Sequence, residues 1–207
     1  MHPRRADGGE SLLAADVAAA VTALRLACPA VPVGVSTGLW ITGGDPAARH
    51  SAVASWERLP AAARPDFASV NLSEPGWAEL CAALRSAGIA AEAGIWSVAD
   101  ADQLDTAGQA IEWLRILVEI IDVPADNAVA AADEILRRLD ELNIAGPRLL
   151  HGEQAACWQL VAHAGALGLP TRIGLEDSTT GPDGSAVSGN AELVQLALPI
   201  WTASRAA

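Results

Sequence analysis

Two adjacent acids, Glu176 and Asp177, follow an apolar run that also carries Arg172. By themselves, the two acids would form a solvated loop pair, and the arginine could be one half of a structural ion pair. Carboxylates and a guanidinium at the end of one run can also bind a cation, hold an anion and accept a proton. These three residues are therefore the first candidates for a reacting site.

Polar residues also stand at or near the carboxyl ends of other apolar runs. Glu92 lies inside a run, where a buried acid is costly unless it is paired, so it needs either a function or an arginine partner. His151 ends another run, where a histidine bonded to the backbone is the more common outcome and a site residue the less common one. Further members of this set are Ser36, Thr37, Asn71, Ser73, Glu119 and Glu153.

The runs that carry these residues have the pattern of buried β-strands, and Ala/Leu-rich amphipathic stretches separate them. The predicted strands cover residues 31–37, 67–72, 89–96, 114–120, 148–152 and 171–176. The predicted helices lie near residues 11–27, 46–58, 75–86, 99–110, 124–143, 154–167 and 188–204. Strand centres recur at the spacing of a βα unit, which predicts an α/β fold with a mainly parallel sheet.

The placement of the polar residues favours a TIM (β/α)8-type barrel over an open sheet. In a barrel, the carboxyl ends of all strands point to one face, where active sites are built. An open doubly wound sheet usually carries a glycine-rich phosphate loop after its first strand, and the sequence has no GxGxxG. Six full strands are visible where a closed barrel needs eight. We therefore predict a single barrel domain over residues 1–207 that is incomplete at its amino end.

The composition excludes several partners and chemistries. The formal net charge is −12, and a surface of this sign repels nucleic acid and anionic membranes. The chain has 13 arginines and no lysine, which rules out a Schiff base and a Walker-type phosphate site. No apolar run is long enough to span a bilayer, and the polar start is not a secretory signal. The cysteines form no CxxC pair, which favours reduced thiols in the cytoplasm.

Several sequence segments, taken together, resemble one enzyme family. HPRRADGGESL at the start is similar to the HxHxR strand end and DGxES loop of the β-keto acid cleavage enzymes. PVGVSTG (32–38) and DFASVNLSE (66–74) are similar to that family's third-strand and fourth-strand motifs. TRIGLED followed by PDGSAVSGNAELV (171–194) is similar to its eighth strand, loop and final helix. The resemblance covers nearly the whole chain, and it is of the 3-keto-5-aminohexanoate cleavage enzyme type.

The resemblance implies a divalent metal, usually Zn²⁺ with Co²⁺ or Ni²⁺ as alternatives, and acetyl-CoA as co-substrate. The family converts a β-keto acid and acetyl-CoA into acetoacetate and a new acyl-CoA. His2 matches the second histidine of the metal site, and Glu176 matches its glutamate. Arg172 and Asp177 match the arginine–aspartate pair that takes the proton starting the reaction.

The same resemblance assigns the contacts with the substrate. Ser36, with the following Thr37 and Gly38, matches the site that grips the substrate carboxylate. Asn71 matches the polar fourth-strand position that faces the substrate, and Glu92 matches a fifth-strand acid of the same site.

These roles make physical sense together. An aspartate beside an arginine normally has a lowered pKa and is a weak base. We therefore expect Asp177 to act as a base only where a metal has already acidified the substrate. The grip at Ser36 to Gly38 would use hydroxyl and backbone donors, which a site without lysine needs.

The resemblance also implies material before residue 1. The family's first histidine would lie two residues before His2, one place upstream of Met1. We therefore expect Met1 to be an internal methionine of a longer natural chain that begins roughly 40 residues upstream, as judged from typical barrel length. The first strand and helix of the barrel would then be missing from the 207 residues.

Two other functions stay open at this point. The chain could be a catalytically silent barrel remnant that binds a small anion or a partner subunit. It could also be a metal-dependent lyase that acts on another oxoacid without CoA. By resemblance we expect a homo-oligomer, and the sequence does not identify the β-keto acid.

Overall fold

The computed structural model describes residues 1–107 and 111–205, and the chain packs as two compact units. The first unit comprises Met1–Gly94 and Ala107–Leu114, and the second comprises Ile95–Thr106 and Arg115–Ala207. The single domain predicted from the sequence stays a prediction.

The first unit contains parallel strands that pair in chain order. They are β1 (Gly34–Ser36), β2 (Phe67–Asn71) and β3 (Ala90–Ile95). Its helices are α1 (Ala14–Ala27), α2 (Pro46–Ala54) and α3 (Trp77–Ser86). Helix α2 begins where its sequence predicts, because the Asp45 carboxylate accepts two backbone N–H groups of the first turn and Pro46 is its first residue. The core between strands and helices includes Val17, Val35, Val53, Trp56, Ala68 and Leu80.

Met1 lies beside β1 and pairs with it as a residue of a parallel strand would. The Met1 ammonium donates to the Gly34 carbonyl at 2.8 Å, and the Met1 carbonyl accepts the Ser36 N–H at 3.1 Å. These two bonds bracket Val35, which is the pattern of a parallel ladder. His2 therefore lies next to the edge of the sheet, and the backbone hydrogen bonds of Met1 fix its position.

Strand β4 (Trp113–Ile120) lies in the second unit from Arg115 onward, where it pairs in parallel with β5 (Arg148–Gly152). The helices of this part are α4 (Val98–Ala107), α5 (Ala125–Glu141), α6 (Cys157–Ala166) and α7 (Asn190–Arg205). Helix α5 buries residues at helical spacing, which packs one face inward and leaves its charges outside. The buried residues of that face are Ala128, Ala132, Ile135, Leu136 and Leu139.

The prediction of a sixth strand over residues 171–176 is wrong. One backbone bond, from Leu150 N–H to the Pro170 carbonyl at 3.0 Å, joins the start of this segment to β5. The N–H groups of Asp177 and Ser178 then both bond the Gly174 carbonyl, which closes a turn. A strand needs a continuing ladder, and the turn ends it. The described residues therefore contain five strands.

The other predicted elements are confirmed with shifted ends. Strand β1 is shorter than predicted, and helix α1 begins three residues later than predicted. Residues 108–110 of the predicted 99–110 helix lie outside the described residues. The α/β class and the parallel pairing are confirmed, and the barrel stays a prediction. In residues 1–107 and 111–205, no helix is long and apolar enough to cross a bilayer.

Candidate active site

One face of the sheet in the first unit is polar at its carboxyl end. Ser36, Ser69 and Glu92 are neighbours in register across the strands, and Asn71 follows Ser69 on the same face two residues on. Glu92 is 2% exposed, so this acid is buried as predicted. The structure thus brings predicted residues of three strands onto one polar face, opposite the face that packs on the helices.

Some of the groups predicted to bind the substrate carboxylate at the end of β1 form hydrogen bonds within the protein. The Thr37 hydroxyl donates to the Ser69 carbonyl at 2.5 Å, which ties β1 to β2. The Ser36 hydroxyl accepts the Gly38 N–H at 3.4 Å and keeps its own hydrogen for a ligand. A Cβ on Gly38 would lie 2.1 Å from the Trp40 ring, so the indole can cover this loop only because residue 38 is glycine. Ser36 is therefore a better candidate for substrate contact than Thr37.

Glu74 is a buried residue of this region that sequence reasoning missed. Its carboxylate accepts the Leu39 N–H at 3.0 Å and the Asn71 amide at 3.1 Å, and it pairs with the Arg49 guanidinium. Arg49 is 1% exposed and Glu74 is 7% exposed, so this ion pair is buried. The glutamate three residues after Asn71 in NLSE was the available sequence signal.

His2 is held by a short hairpin at the start of the chain. Arg4 and Glu10 form an antiparallel bridge, and Gly8 turns the chain between them with a φ of 87°. This turn brings the Glu10 carboxylate to 2.9 Å from His2 Nδ1. The other Glu10 oxygen accepts the Trp40 indole N–H at 2.6 Å. Glu10, the acid of the GGES segment, is thus a second residue that sequence reasoning missed.

Glu119 is the centre of the polar cluster in the second unit. Its carboxylate accepts the Trp96 indole N–H at 2.7 Å and the Arg172 guanidinium at 2.8 Å, and it bonds His151 Nε2 at 2.7 Å. Burial alone would raise the pKa of this carboxyl, but the bonds and charges of His151 and Arg172 lower it to about 2. Glu119 is therefore ionised, and because a carboxylate only accepts, the His151 proton lies on Nε2.

His151 does not bond the backbone, which sequence reasoning had ranked as the more common outcome. It is 1% exposed and is bonded to Glu119 instead. Its Nδ1 is buried, has no hydrogen-bond partner among the described residues, and lies 3.6 Å from an Asp177 carboxylate oxygen. A buried imidazole nitrogen without a hydrogen bond therefore faces the predicted base.

Asp177 forms the expected pair with Arg172 as an ion-pair contact without a hydrogen bond. Arg172 lies 3.6 Å from an Asp177 oxygen, which is too long for a hydrogen bond, and it donates to Glu119 instead. Both Asp177 oxygens are buried without a hydrogen-bond partner in the described part of the chain. Burial raises the pKa of Asp177, against the charges of His151 and Arg172. The expectation of a lowered pKa is therefore wrong, because desolvation outweighs the neighbouring charges.

Glu153 and Gln154 frame Asp177 from the end of β5. The Gln154 backbone has a φ of 51°, a left-handed value that is strained for glutamine, and its N–H donates to the Asp177 carbonyl at 2.6 Å. Burial, followed by the charges of Glu119 and Asp177, raises the pKa of Glu153 to about 7. This loop therefore fixes the backbone of Asp177 and adds a carboxyl that changes charge near neutral pH.

Glu176, the predicted metal ligand of this unit, is an exposed turn residue. Its carboxylate folds back over Gly174, where a Cβ would lie 2.2 Å from one of its oxygens. No hydrogen bond holds this carboxylate among the described residues. It is therefore available to a ligand.

The donor groups of the two predicted ligands fit a metal. A ligating histidine commonly bonds a carboxylate through its other nitrogen, as His2 bonds Glu10 through Nδ1, and this leaves Nε2 for an ion. Glu176 offers an unpaired carboxylate oxygen. Across the described residues, no group of three His, Cys, Asp or Glu side chains could hold a metal ion together. His2 and Glu176 belong to different units, so their shared ion stays a prediction.

Taken unit by unit, the geometry allows two kinds of chemistry. The first unit offers a hydroxyl, an amide and a carboxylate-backed imidazole, which can bind an anion and a cation. The second unit offers a buried carboxylate that has no hydrogen bond and lies next to an imidazole and a guanidinium, and this group can move a proton.

The comparisons with known proteins are consistent with these features. A family model described as "beta-keto acid cleavage enzyme" matches residues 1–205. No curated protein matches the chain.

Proposed function

The chain belongs to the beta-keto acid cleavage enzyme family, and from this premise we propose that it transfers acyl groups between a β-keto acid and acetyl-CoA. In this reaction, the acetyl group of acetyl-CoA joins the carbon that bears the carboxylate of the β-keto acid. The acyl group released from that carbon joins the CoA sulfur. The products are acetoacetate and a new acyl-CoA, and no oxidant or reductant is needed.

The state of Asp177 is the observation that carries this proposal. The side chain is 1% exposed, and neither of its oxygens has a hydrogen-bond partner in the described residues. A buried carboxylate without a hydrogen bond is costly, so it is retained where a reaction uses it. Its raised pKa makes it a stronger base than an ordinary aspartate.

Asp177 takes a proton from the carbon between the keto group and the carboxylate of the substrate, and it later returns a proton to acetoacetate. Arg172 and His151 lie beside Asp177 and stabilise the charge that changes when the proton is transferred. Ser36 and the backbone of the following loop hold the substrate carboxylate, and Asn71 faces the substrate from the end of β2. Glu119 keeps Arg172 and His151 in place.

A divalent cation, which His2 and Glu176 would hold, polarises the keto oxygen of the substrate when bound and acidifies the neighbouring C–H bond. The Glu10 carboxylate supports this role, because it orients His2 and makes it a better ligand. Zn²⁺ is the first candidate, with Co²⁺ and Ni²⁺ next. The proposal also includes a cytoplasmic location and a homo-oligomeric state. Light scattering would test the oligomeric state.

The test is turnover of a panel of β-keto acids by the purified protein with added Zn²⁺, Co²⁺ or Ni²⁺, with and without acetyl-CoA. Mass spectrometry follows acetoacetate and the new acyl-CoA. We expect both products to form together and only when acetyl-CoA is present. Cleavage that ignores acetyl-CoA would identify an oxoacid lyase. No turnover of any panel member would identify a silent barrel remnant.

A further inference from the structure

Glu74 and Arg49 form a buried ion pair whose presence needs a reason other than stability. Arg49 Nη1 pairs with the carboxylate, and Nη2 donates to the Pro75 carbonyl at 2.6 Å. The desolvation of two charges offsets much of their attraction, so a buried pair adds little stability over apolar side chains of the same size. What such a pair does provide is a fixed carboxylate with free lone pairs.

Those lone pairs hold Asn71 in one orientation. Because a carboxylate only accepts, the Asn71 amide must turn its NH₂ group towards Glu74, and the bond is 3.1 Å long. The Asn71 carbonyl oxygen then lies over Gly94, where a Cβ would be 2.4 Å away. The amide can take this position only because residue 94 is glycine. Glu74 therefore decides which end of Asn71 is presented on the polar face of the sheet.

The same carboxylate oxygen also holds the loop after β1. Glu74 accepts the Leu39 N–H at 3.0 Å, directly after the segment Ser36 to Gly38 that is proposed to grip the substrate carboxylate. One buried carboxylate thus joins two separate substrate contacts, one at the end of β1 and one at the end of β2. Arg49 neutralises its charge, so the anionic substrate meets no net negative charge from this residue.

We propose that Glu74, neutralised by Arg49, is a positioning residue that sets the distance and orientation between Asn71 and the carboxylate-binding loop. This inference rests on the proposed function for the identity of the substrate. Glu74 acts through Asn71 and Leu39 and does not touch the substrate. Its loss therefore weakens binding of the β-keto acid and leaves acetyl-CoA unaffected.

The kinetic test compares Glu74→Asp with Gly94→Ala and with Asp66→Asn. The shorter aspartate keeps the charge beside Arg49 but cannot reach both Asn71 and Leu39, and the alanine displaces Asn71 while the ion pair stays intact. Asp66 is a matched control, because it pairs with Arg25 and accepts the Val33 N–H in the same unit, away from the site.

For Glu74→Asp and Gly94→Ala we expect the KM for the β-keto acid to rise about tenfold, which corresponds to the loss of one hydrogen bond. The kcat and the KM for acetyl-CoA should stay within about twofold. A change shared by all kinetic constants, or shared with Asp66→Asn, would overturn the proposal.

A second readout does not depend on turnover. The side-chain NH₂ signal of Asn71, assigned by its loss in Asn71→Ser, should exchange slowly with solvent in the wild type. We expect faster exchange in Glu74→Asp and no change in Asp66→Asn. Unchanged protection in Glu74→Asp would overturn the positioning role even if the enzyme is active. If the wild type turns over no substrate while the exchange result holds, the proposed function fails and the positioning of Asn71 by Glu74 stands.

Discussion

Each unit has a polar network around one buried glutamate, but the two networks differ in the buried atoms that they leave without hydrogen bonds. In the first unit, Glu74 receives a backbone N–H, an amide and a guanidinium. In the second unit, Glu119 receives an indole, an imidazole and a guanidinium. Among the described residues, the groups around Glu119 keep buried atoms without hydrogen bonds, namely His151 Nδ1, Arg172 Nε and both Asp177 oxygens.

This difference distinguishes a network that positions side chains from a cluster that reacts with substrate. A fully satisfied buried network fixes side chains in one arrangement. Buried polar atoms without partners are rare and costly, and they persist where a ligand or a reaction needs them. We therefore expect the Glu74 network to position the substrate and the Asp177 cluster to carry out the reaction.

Asp177→Asn should give the largest effect on activity. Removal of a general base is expected to lower kcat by about 10²–10⁴-fold, while the protein stays at least as stable, because a buried carboxylate without a hydrogen bond is lost. Steady-state kinetics and thermal unfolding measure the two effects. Asp183→Asn, an exposed acid of the same unit, is the matched control and should keep full activity. Activity of Asp177→Asn within tenfold of the wild type would break the comparison.

Arg49→Met should have the opposite profile. It leaves Glu74 as an uncompensated buried charge, so we expect a loss of about 3–5 kcal/mol in the free energy of unfolding, measured with urea. Arg137→Met removes an exposed pair with Glu141 and should cost less than about 1 kcal/mol. If Arg49→Met is as stable as the wild type, the first unit does not depend on its buried pair.

Glu10→Gln extends the comparison to His2. The amide holds the imidazole less firmly and makes it a poorer ligand, so we expect Zn²⁺ affinity to fall by about 10–100-fold. Competition with a chromogenic chelator measures this without turnover. Asp7→Asn changes an exposed acid of the same hairpin and should leave the affinity unchanged. Equal affinities for Glu10→Gln and the wild type would argue against His2 as a ligand.

Glu153→Gln should give the smallest effect, seen as a change in pH dependence. The folded pKa of about 7 is above the ordinary value of 4.5, so the folded state binds the proton more tightly. Wild-type stability should therefore fall as pH rises from about 4.5 to about 7 and level off above that. Glu153→Gln should lack this part of the decline and be the more stable protein at pH 8 but not at pH 4. Parallel stability curves across this range would contradict the assignment.

The sequence predicted those parts of the fold that depend on local patterns. Hydrophobic runs predicted β2 to β5 within two residues at each end, and the carboxyl-end rule predicted that Asn71, Glu119 and His151 stand where strands finish. The run at residues 171–176 looks like a strand, but strand formation depends on ladder partners, which composition does not show. A turn at Gly174 ends the segment instead.

The site was predictable in its residue types and less so in its pairings. Arg172 and Asp177 were named from a motif, but motif spacing does not show that Glu119 takes the guanidinium hydrogen bond and leaves Asp177 without one. Desolvation depends on packing in three dimensions, so the raised pKa of Asp177 could not be read from its arginine neighbour. Glu10 and Glu74 lie in the GGES and NLSE segments, but their roles depend on contacts that only folding makes, across a hairpin and between two loops.

The pairing of Met1 with β1 has a practical consequence for how the protein is produced. Because side chains alternate along an extended chain, a residue fused directly before Met1 would fall on the same side as His2. A polyhistidine tag at that end could therefore place an imidazole beside the proposed ligand and give metal contents that belong to the tag. A tag at the carboxyl end, or one cleaved off before metal analysis, avoids this artefact.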